Sequence, residues 1–226
     1  MITISGSIGS GKTTLTTLLA DHLGSRAFHE PAEDNPIIDD FYRGNRIAAQ
    51  RRAAGEADAH NPYAFLMQVY LLNRRFATIK QAMRDDDNVL DRSIYEDRIF
   101  MRMNYDRGNV REVEWRTYEA LFANMMEELP YAAHKKSPDL MVFIRAGYDT
   151  LIRRIARRGR PFEQVDRDPS LAGYYRELIR YYDEWSRAYD ASPLLVIDAE
   201  RYDFERDADD RAAVFAMIDR SLAAVR

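Results

Sequence analysis

The sequence predicts a three-layer α/β fold with a parallel central sheet of about five strands. Short apolar segments alternate with long amphipathic segments along the 226 residues. The apolar segments lack the polar alternation of half-exposed strands, which is typical of strands that helices cover on both faces. Strand–helix alternation of this kind favours parallel pairing through right-handed crossovers. A glycine-rich turn between the first strand and the first helix is the third observation that favours this fold class.

The predicted elements follow each other in a regular order. Strands are expected over residues 2–5, 27–29, 89–91, 140–144 and 194–197. Helices are expected over residues 12–22, 62–84, 96–105, 110–128, 148–158, 170–191 and 207–225. Residues 44–61 are expected to be a loop or a frayed helix, and residues 157–169 an irregular connection. Because no linker composition interrupts the pattern, residues 1–226 are expected to form a single domain.

Composition and charge limit the classes of function. The chain has 46% hydrophobic and 31% charged residues, which is typical of soluble globular proteins. Its net charge of −4 argues against non-specific nucleic-acid binding, and the absence of cysteine excludes disulfides and cysteine metal sites. No run of about 18 apolar residues is present, so no membrane association and a cytoplasmic location are expected.

The segment GSIGSGKTT matches the phosphate-loop pattern G-x-x-x-x-G-K-[ST] and predicts a P-loop NTPase-type fold. Glycines allow backbone N–H groups to surround a triphosphate, and the following helix adds its positive dipole end. Lys12 is expected to bridge the β- and γ-phosphates of ATP, and the Thr13 hydroxyl to bind Mg²⁺. The loop residues expected to bind ATP are Gly6, Ser7, Ile8, Gly9, Ser10, Gly11, Lys12, Thr13 and Thr14. The pattern indicates an NTPase or a kinase without identifying the phosphate acceptor.

Acidic residues follow the second and third predicted strands. Ligands of open α/β sheets bind at the carboxyl ends of strands, so Glu30 is expected to face the γ-phosphate and accept a hydroxyl proton. The alternative is that Glu30 only caps the turn at Pro31. Asp91 is expected to support Mg²⁺ and Arg92 to bind phosphate, with a plain surface ion pair between them as the alternative.

Two further segments carry candidate binding residues. Gln68 and Arg75 share one face of the predicted helix over residues 62–84, beside its apolar stripe. The Gln68 amide offers a donor and an acceptor, which match adenine or cytosine and, after rotation, guanine; a rim position is the alternative. The arginine-rich segment RRIARRGRPFEQ predicts a short lid over about residues 153–167, with a solvated basic helix end as the alternative.

These segments together resemble the deoxynucleoside kinase family, most closely its bacterial deoxyadenosine kinases. The resemblance spans nearly the whole chain and keeps the family's order. It rests on the segments GSIGSGKTT, FHEP followed by EDNP, FLMQVYLLNRRF, DRSIYEDR, RRGRPFEQ and VIDAERYDF.

The resemblance implies a role for each matching residue. Glu30 takes the proton of the 5′-hydroxyl, Gln68 pairs with the base, Arg75 and Asp97 shape base selectivity, and Glu163 holds the 3′-hydroxyl. The implied catalytic residues are Glu30, Arg92, Lys12, Arg154, Arg158 and Arg160. The implied substrate-binding residues are Glu30, Tyr42, Tyr63, Gln68, Arg75, Arg92, Asp97 and Glu163. The implied metal-binding residues are Thr13 and Asp91. Outside the loop, the implied ATP-binding residues are Arg154, Arg158, Asp198, Arg201 and Tyr202.

The implied reaction is the phosphorylation of the 5′-hydroxyl of a deoxynucleoside by ATP with Mg²⁺, in a homodimer. Deoxyadenosine is the expected acceptor, with deoxyguanosine and deoxycytidine as alternatives. Eukaryotic members carry a tyrosine where this chain has Ala57, so a second contact to the 3′-hydroxyl stays open. Three other classes are weighed: a nucleoside monophosphate kinase, a nucleotide-sensing regulator, and a GTPase switch, whose usual guanine motif N-K-x-D is not found.

Overall fold

The computed structural model describes residues 1–30, 35–85, 87–133 and 137–225. Within these residues, five parallel strands form one sheet in the order β2-β3-β1-β4-β5. The strands are β1 (Ile2–Gly6), β2 (Ala27–Phe28), β3 (Val89–Asp91), β4 (Leu140–Arg145) and β5 (Leu194–Asp198). The helices are α1 (Lys12–Leu23), α2 (Ile38–Ala53), α3 (Ala64–Ala82), α4 (Ile94–Asp106), α5 (Glu112–Ala133), α6 (Tyr148–Arg158), α7 (Leu171–Ala188) and α8 (Ala208–Val225).

Helices cover both faces of the sheet, as the continuous apolar strands predict. On β4, Val142 faces the core that α1 and α8 close, whereas Phe143 faces the core formed with α4 and α7. Both side chains are almost completely buried. In a third core, α3 and α5 pack together with α4. The predicted three-layer α/β fold is therefore confirmed.

Strand β1 lies in the middle of the sheet and positions the site. It pairs with β3 on one side and β4 on the other, with Ile4 opposite Asp91 and Gly6 opposite Ile144. The chain therefore leaves β1 toward one half of the sheet and later returns to fill the other half. Such a switch in strand order opens a crevice at the carboxyl ends of the strands, where ligands of open α/β sheets bind.

Both alternatives expected for residues 44–61 occur, with residues 44–53 in α2 and residues 54–61 outside any helix or strand. This region is helical as far as the end of α2, because Phe41, Gly44 and Ala48 form a buried stripe. Two of these three side chains are small, so the stripe gives a weak apolar signal among many arginines. Elsewhere, the predicted helices and strands occur with bounds that shift by a few residues. Among the described helices, none combines the length and apolar composition needed to cross a bilayer.

The packing of α2 gives a matched pair of glycine substitutions. A Cβ on Gly44 would clash with Asn61 Oδ1, and Asn61 Nδ2 donates to Phe41 O at 2.9 Å and Asn45 Oδ1 at 2.7 Å. Gly44→Ala is therefore expected to lower the free energy of unfolding by about 1–3 kcal/mol. Gly173→Ala, which meets no atom within 4 Å, is expected to leave it unchanged or raise it by up to about 1 kcal/mol. Urea denaturation measures both, and equal effects would contradict the proposed clash.

Candidate active site

A cavity of about 420 Å³ opens at the carboxyl ends of β1 and β3. It brings together predicted residues from the phosphate loop, the β2 and β3 ends, three helices and the lid. These residues are Ile8, Lys12, Thr13, Glu30, Tyr42, Gln68, Arg75, Asp91, Arg92, Asp97, Arg158, Arg160 and Glu163. The apolar part of the wall is formed by Ile38, Phe41, Met67, Leu71 and Phe100. The cavity therefore has a charged end, with Lys12, Glu30, Arg75 and Arg92, and an apolar end, with side chains of α2 and α3.

The phosphate loop depends on its glycines. Gly9 and Gly11 have left-handed backbone conformations, with φ of 81° and 102°. A Cβ on Gly6 would lie 2.6 Å from Ser10 Oγ and 2.8 Å from Ile144 O, so a larger residue does not fit there. The buried hydroxyl groups of Ser7 and Ser10 have no hydrogen-bond partner within the described part of the chain. Polar groups of this kind are costly to bury unless a ligand pairs with them.

Lys12 begins α1 and lies almost completely inside the loop. Its Nζ donates to Ser7 O at 2.9 Å, and the residue is 7% exposed. Burial, together with the nearby charge of Arg92, lowers the pKa of Lys12 to about 7. A phosphate group in the loop would reverse this shift, because it supplies a negative partner for the ammonium group.

Asp91 and Thr13 fit a magnesium ion. Thr13 Oγ1 donates to Asp91 Oδ2 at 2.6 Å, while Asp91 Oδ1 is buried without a partner among the described residues. A hydroxyl and a carboxylate suit Mg²⁺, which usually takes one or two protein ligands and fills its other positions with water and phosphate. In the described ranges, no cluster of three or more His, Cys, Asp or Glu residues could hold a metal. The Thr13 hydroxyl and the Asp91 carboxylate are thus the oxygen ligands that could hold Mg²⁺ here.

Glu30 is held by two arginines at the charged end of the cavity. Its Oε1 accepts from Arg75 Nη2 at 2.6 Å, and its Oε2 accepts from Arg92 Nε at 2.7 Å. Burial opposes the charge of Glu30, but Arg92 and Arg75 outweigh it and lower the pKa to about 2. Arg75 Nε also donates to both carboxylate oxygens of Asp97 at 2.8 Å. Glu30 is therefore a fixed carboxylate that stays ionised at neutral pH.

Gln68 faces the apolar end of the same cavity. The residue is 4% exposed, and no described residue hydrogen-bonds its amide. Met67 and Phe41 contribute apolar surface beside it. A buried amide without a partner among the described residues, next to apolar side chains, suits a ligand that carries both a donor and an acceptor.

The predicted lid segment consists of the end of α6 and the residues after it, which include a single turn of 3₁₀ helix, Pro161–Glu163. Glu163 is 4% exposed and accepts from Arg158 Nε at 3.1 Å, with Arg160 Nη1 3.7 Å away. The Tyr175 hydroxyl donates to Glu163 O at 2.9 Å and so ties the lid to α7. On the other side, Tyr42 stacks on Phe162 with 5.2 Å between ring centroids. The lid thus contacts helices on both sides of the cavity.

A second, polar cavity of about 200 Å³ lies between α6 and the segment that follows β5. Arg154 and Arg201 line it, and Arg154 Nη1 donates to Ser10 O at 2.7 Å. Asp198 and Tyr202 do not line it. Asp198 Oδ1 instead accepts from Glu200 N at 2.9 Å and shapes the turn, while Tyr202 packs against the hydrophobic core. The contact between Arg154 and Ser10 connects this cavity to the phosphate loop.

Two sets of residues differ from the expectations. Tyr63 is outside the lining of the large cavity; it precedes α3 and packs against the hydrophobic core. Conversely, Arg92 Nη1 donates to Glu96 Oε1 at 3.0 Å and to the Tyr182 hydroxyl at 2.8 Å, contacts that the sequence reading missed. Glu96 lies in the segment DRSIYEDR, but Arg92 precedes Ser93, the extended N-cap of α4, so helical spacing does not pair the two side chains. Tyr182 carries no local signal either, because only the fold brings α7 to Arg92.

Comparisons with known proteins identify the family of this chain. A family model described as deoxynucleoside kinase matches residues 2–223. Deoxyguanosine kinase of Lactobacillus acidophilus is 47% identical over 218 residues, which cover 96% of this chain and 89% of that protein. Deoxyadenosine kinase of the same organism is 40% identical over 222 residues, covering 98% and 96%. The solved structure of deoxyadenosine kinase from M. mycoides with bound dATP matches with a TM-score of 0.71 and 28% identity, covering 96% of this chain and 98% of that one.

The magnesium fit can be tested at Asp91. Asp91→Asn keeps the volume but removes the charge and replaces one oxygen with a nitrogen that does not bind cations. We expect the Mg²⁺ concentration for half-maximal ATP binding to rise by about 10- to 100-fold. Calorimetric titration of ATP at a series of Mg²⁺ concentrations measures this, with the surface variant Asp219→Asn as the control. An unchanged Mg²⁺ dependence in Asp91→Asn would remove Asp91 from the site.

Proposed function

The chain belongs to the deoxynucleoside kinase family, and from this premise we propose that it transfers the γ-phosphoryl group of ATP to the 5′-hydroxyl of a purine deoxynucleoside. The observation that carries the proposal is the Glu30 carboxylate, fixed by Arg75 and Arg92 in a cavity that also contains the phosphate-loop residue Lys12. Gln68 lines the same cavity at its apolar end. One ligand with a planar base and a sugar hydroxyl fits both ends.

Glu30 orients the acceptor in this proposal. An ionised carboxylate accepts the hydrogen bond of the 5′-hydroxyl and aims its oxygen at the γ-phosphorus. A pKa of about 2 makes Glu30 a weak base. A weak base suffices, because phosphoryl transfer passes through a loose transition state in which positioning and electrostatics supply most of the acceleration. The proton moves to Glu30 as the new phosphate ester bond forms.

Cationic side chains balance the charge of the transferred group. Lys12 and Arg92 line the cavity at the loop, and Arg158 and Arg160 reach it from the lid. Arg154 contacts the loop through Ser10 O and is proposed to act from the donor side. Thr13 and Asp91 would hold Mg²⁺, which supplies charge neutralisation on the donor phosphates when it is bound. Fixed cations of this kind act strongly because they need no reorganisation during the reaction.

Deoxyadenosine is our first candidate for the acceptor. The amide of Gln68 offers one donor and one acceptor, which pair with the adenine edge without any change in protonation. Deoxyguanosine is the second candidate. Two relatives that are 47% and 45% identical to this chain carry the name deoxyguanosine kinase, and the Gln68 amide can also pair with guanine after rotation.

A nucleoside monophosphate kinase fits the site less well. An acceptor phosphate would need free cations at the acceptor end of the cavity. Arg75 is already bound to Asp97 and Glu30, and Glu30 itself would repel the phosphate. A regulator that only senses ATP would not need the apolar end of the cavity with Gln68. The homodimer and the cytoplasmic location expected from the sequence remain predictions.

Replacing Glu30 tests the central contact. Glu30→Gln keeps the shape but removes the charge that binds the hydroxyl proton. We expect kcat to fall on the order of 10²-fold or more, while ATP binding persists. A coupled assay of ADP release measures kcat, and calorimetry measures ATP binding. The surface variant Glu184→Gln serves as the matched control, and a Glu30→Gln enzyme with wild-type kcat would refute the role of Glu30.

A panel of acceptors tests the substrate class. With Mg-ATP, we expect kcat/KM for deoxyadenosine or deoxyguanosine to exceed that for thymidine by about tenfold or more, because a hydrogen-bonding site discriminates against a mismatched edge. Deoxyadenosine monophosphate is included as a competing acceptor, and product phosphates are identified by chromatography. Preference for the monophosphate would favour the alternative kinase class, and preference for deoxycytidine would contradict the purine assignment.

A further inference from the structure

Glu96 is a buried carboxylate next to the proposed catalytic cluster. It lies in the first turn of α4, it is 0% exposed, and it does not line the large cavity. Its Oε1 accepts from Arg92 Nη1 at 3.0 Å, and its Oε2 accepts from the Ser5 hydroxyl. Ser5 immediately precedes Gly6, the first glycine of the phosphate loop. Glu96 therefore joins Arg92 to the strand that carries the loop.

Arg92 is held in an unusual conformation. Its φ of 70° is the only left-handed value among the described non-glycine residues, and such a conformation costs on the order of 1 kcal/mol or more. Its backbone N donates to Ile4 O at 2.9 Å, and its guanidinium lies 5.1 Å from the Phe100 ring centroid. Glu30, Glu96 and Tyr182 bind its Nε and Nη1. Within the described chain, Nη2 has no hydrogen-bond partner, so it remains available to the cavity that Arg92 lines.

Glu30 and Glu96, the two carboxylates that bind Arg92, differ in their access to the cavity. Glu30 lines the cavity, also binds Arg75, and would receive a proton from the acceptor hydroxyl during the reaction. Each proton that arrives on Glu30 weakens its attraction for Arg92. Glu96 does not line the cavity, so its contact with Arg92 does not involve the acceptor. A second carboxylate is therefore needed if Arg92 is to keep its position while Glu30 changes charge.

We propose that Glu96 is a positioning residue that holds the Arg92 guanidinium in place for phosphoryl transfer and couples it to the phosphate loop through Ser5. The inference deepens the proposed function and rests on it for the step that Arg92 serves. Glu96 itself touches neither the acceptor nor the nucleotide. It acts through Arg92, and the alternative is that Glu96 contributes only to folding.

The kinetic test compares Glu96→Gln with the wild type. The amide keeps the volume of Glu96 and removes its charge, so Arg92 is held more weakly. We expect kcat to fall about tenfold or more, with KM for ATP and for the deoxynucleoside within about threefold, because the lost interaction matters mainly in the transition state. In an Arg92→Met background, Glu96→Gln should change kcat by less than about twofold. An equal loss of kcat in both backgrounds would overturn the proposal.

Asn104→Ala is the matched structural control. Asn104 lies about two turns further along α4, is 1% exposed, and its Nδ2 donates to Phe100 O at 2.8 Å. Its replacement removes this partly buried hydrogen bond and the one that Asn104 Oδ1 accepts from Asn109 Nδ2 at 3.3 Å, but no contact of Arg92, so we expect a lower Tm with kcat unchanged. If Glu96→Gln behaves in the same way, with a lower Tm and a normal kcat, its role is purely structural.

A measurement without substrate separates this inference from the proposed function. ¹⁵N NMR reports how fast the Arg92 guanidinium rotates about its Nε–Cζ bond. We expect this rotation to be faster in Glu96→Gln than in the wild type and unchanged in Asn104→Ala. If the wild-type protein phosphorylated no deoxynucleoside, the proposed function would fail, and the NMR result would still decide whether Glu96 holds Arg92. An unchanged rotation rate would overturn the inference by itself.

Discussion

The site depends on a buried ionic cluster in which Glu30 bridges Arg75 and Arg92. Glu30 follows β2, which is only two residues long, so the strand alone does little to fix its side chain. The two ion pairs, at 2.6 and 2.7 Å, supply that constraint from α3 and from the end of β3. Breaking one partner of a buried pair leaves an uncompensated charge, which typically costs about 3–5 kcal/mol. The cluster therefore links the geometry of the site to the stability of the domain.

The arginines of the site differ in which groups they already bind. Arg75 is fully engaged by Asp97 and Glu30, so it fixes the acceptor end and offers little to an incoming phosphate. Arg92 keeps one nitrogen toward the cavity while its others are held. Arg158 and Arg160 pair with Glu163 in the predicted lid segment. The carboxylates of the chain thus occupy Arg75 more completely than Arg92.

This chain is similar to relatives that carry the names of two different activities. This chain is 47% identical to a deoxyguanosine kinase and 40% identical to a deoxyadenosine kinase of one organism. Both relatives are covered almost completely, so their shared fold does not distinguish the bases. In the proposed site, a distinction between adenine and guanine would come from the side chains beside Gln68. Differences in donor and acceptor pattern, rather than in cavity size, separate the two purines.

The sequence by itself determined the sheet, the phosphate loop and the identity of most residues that meet in the large cavity. Apolar periodicity and the glycine spacing are local signals, and the order of strands in a P-loop fold then brings Lys12, Glu30 and Asp91 to one edge. The tertiary structure alone decided the pairing of Glu30 with two arginines, the burial of Glu96, the helical α2 and the position of Tyr63 outside the cavity. These features depend on contacts between residues far apart in the chain, such as Arg92 and Tyr182. Composition and periodicity do not indicate which side chain from a distant part of the chain will pack beside a buried charge.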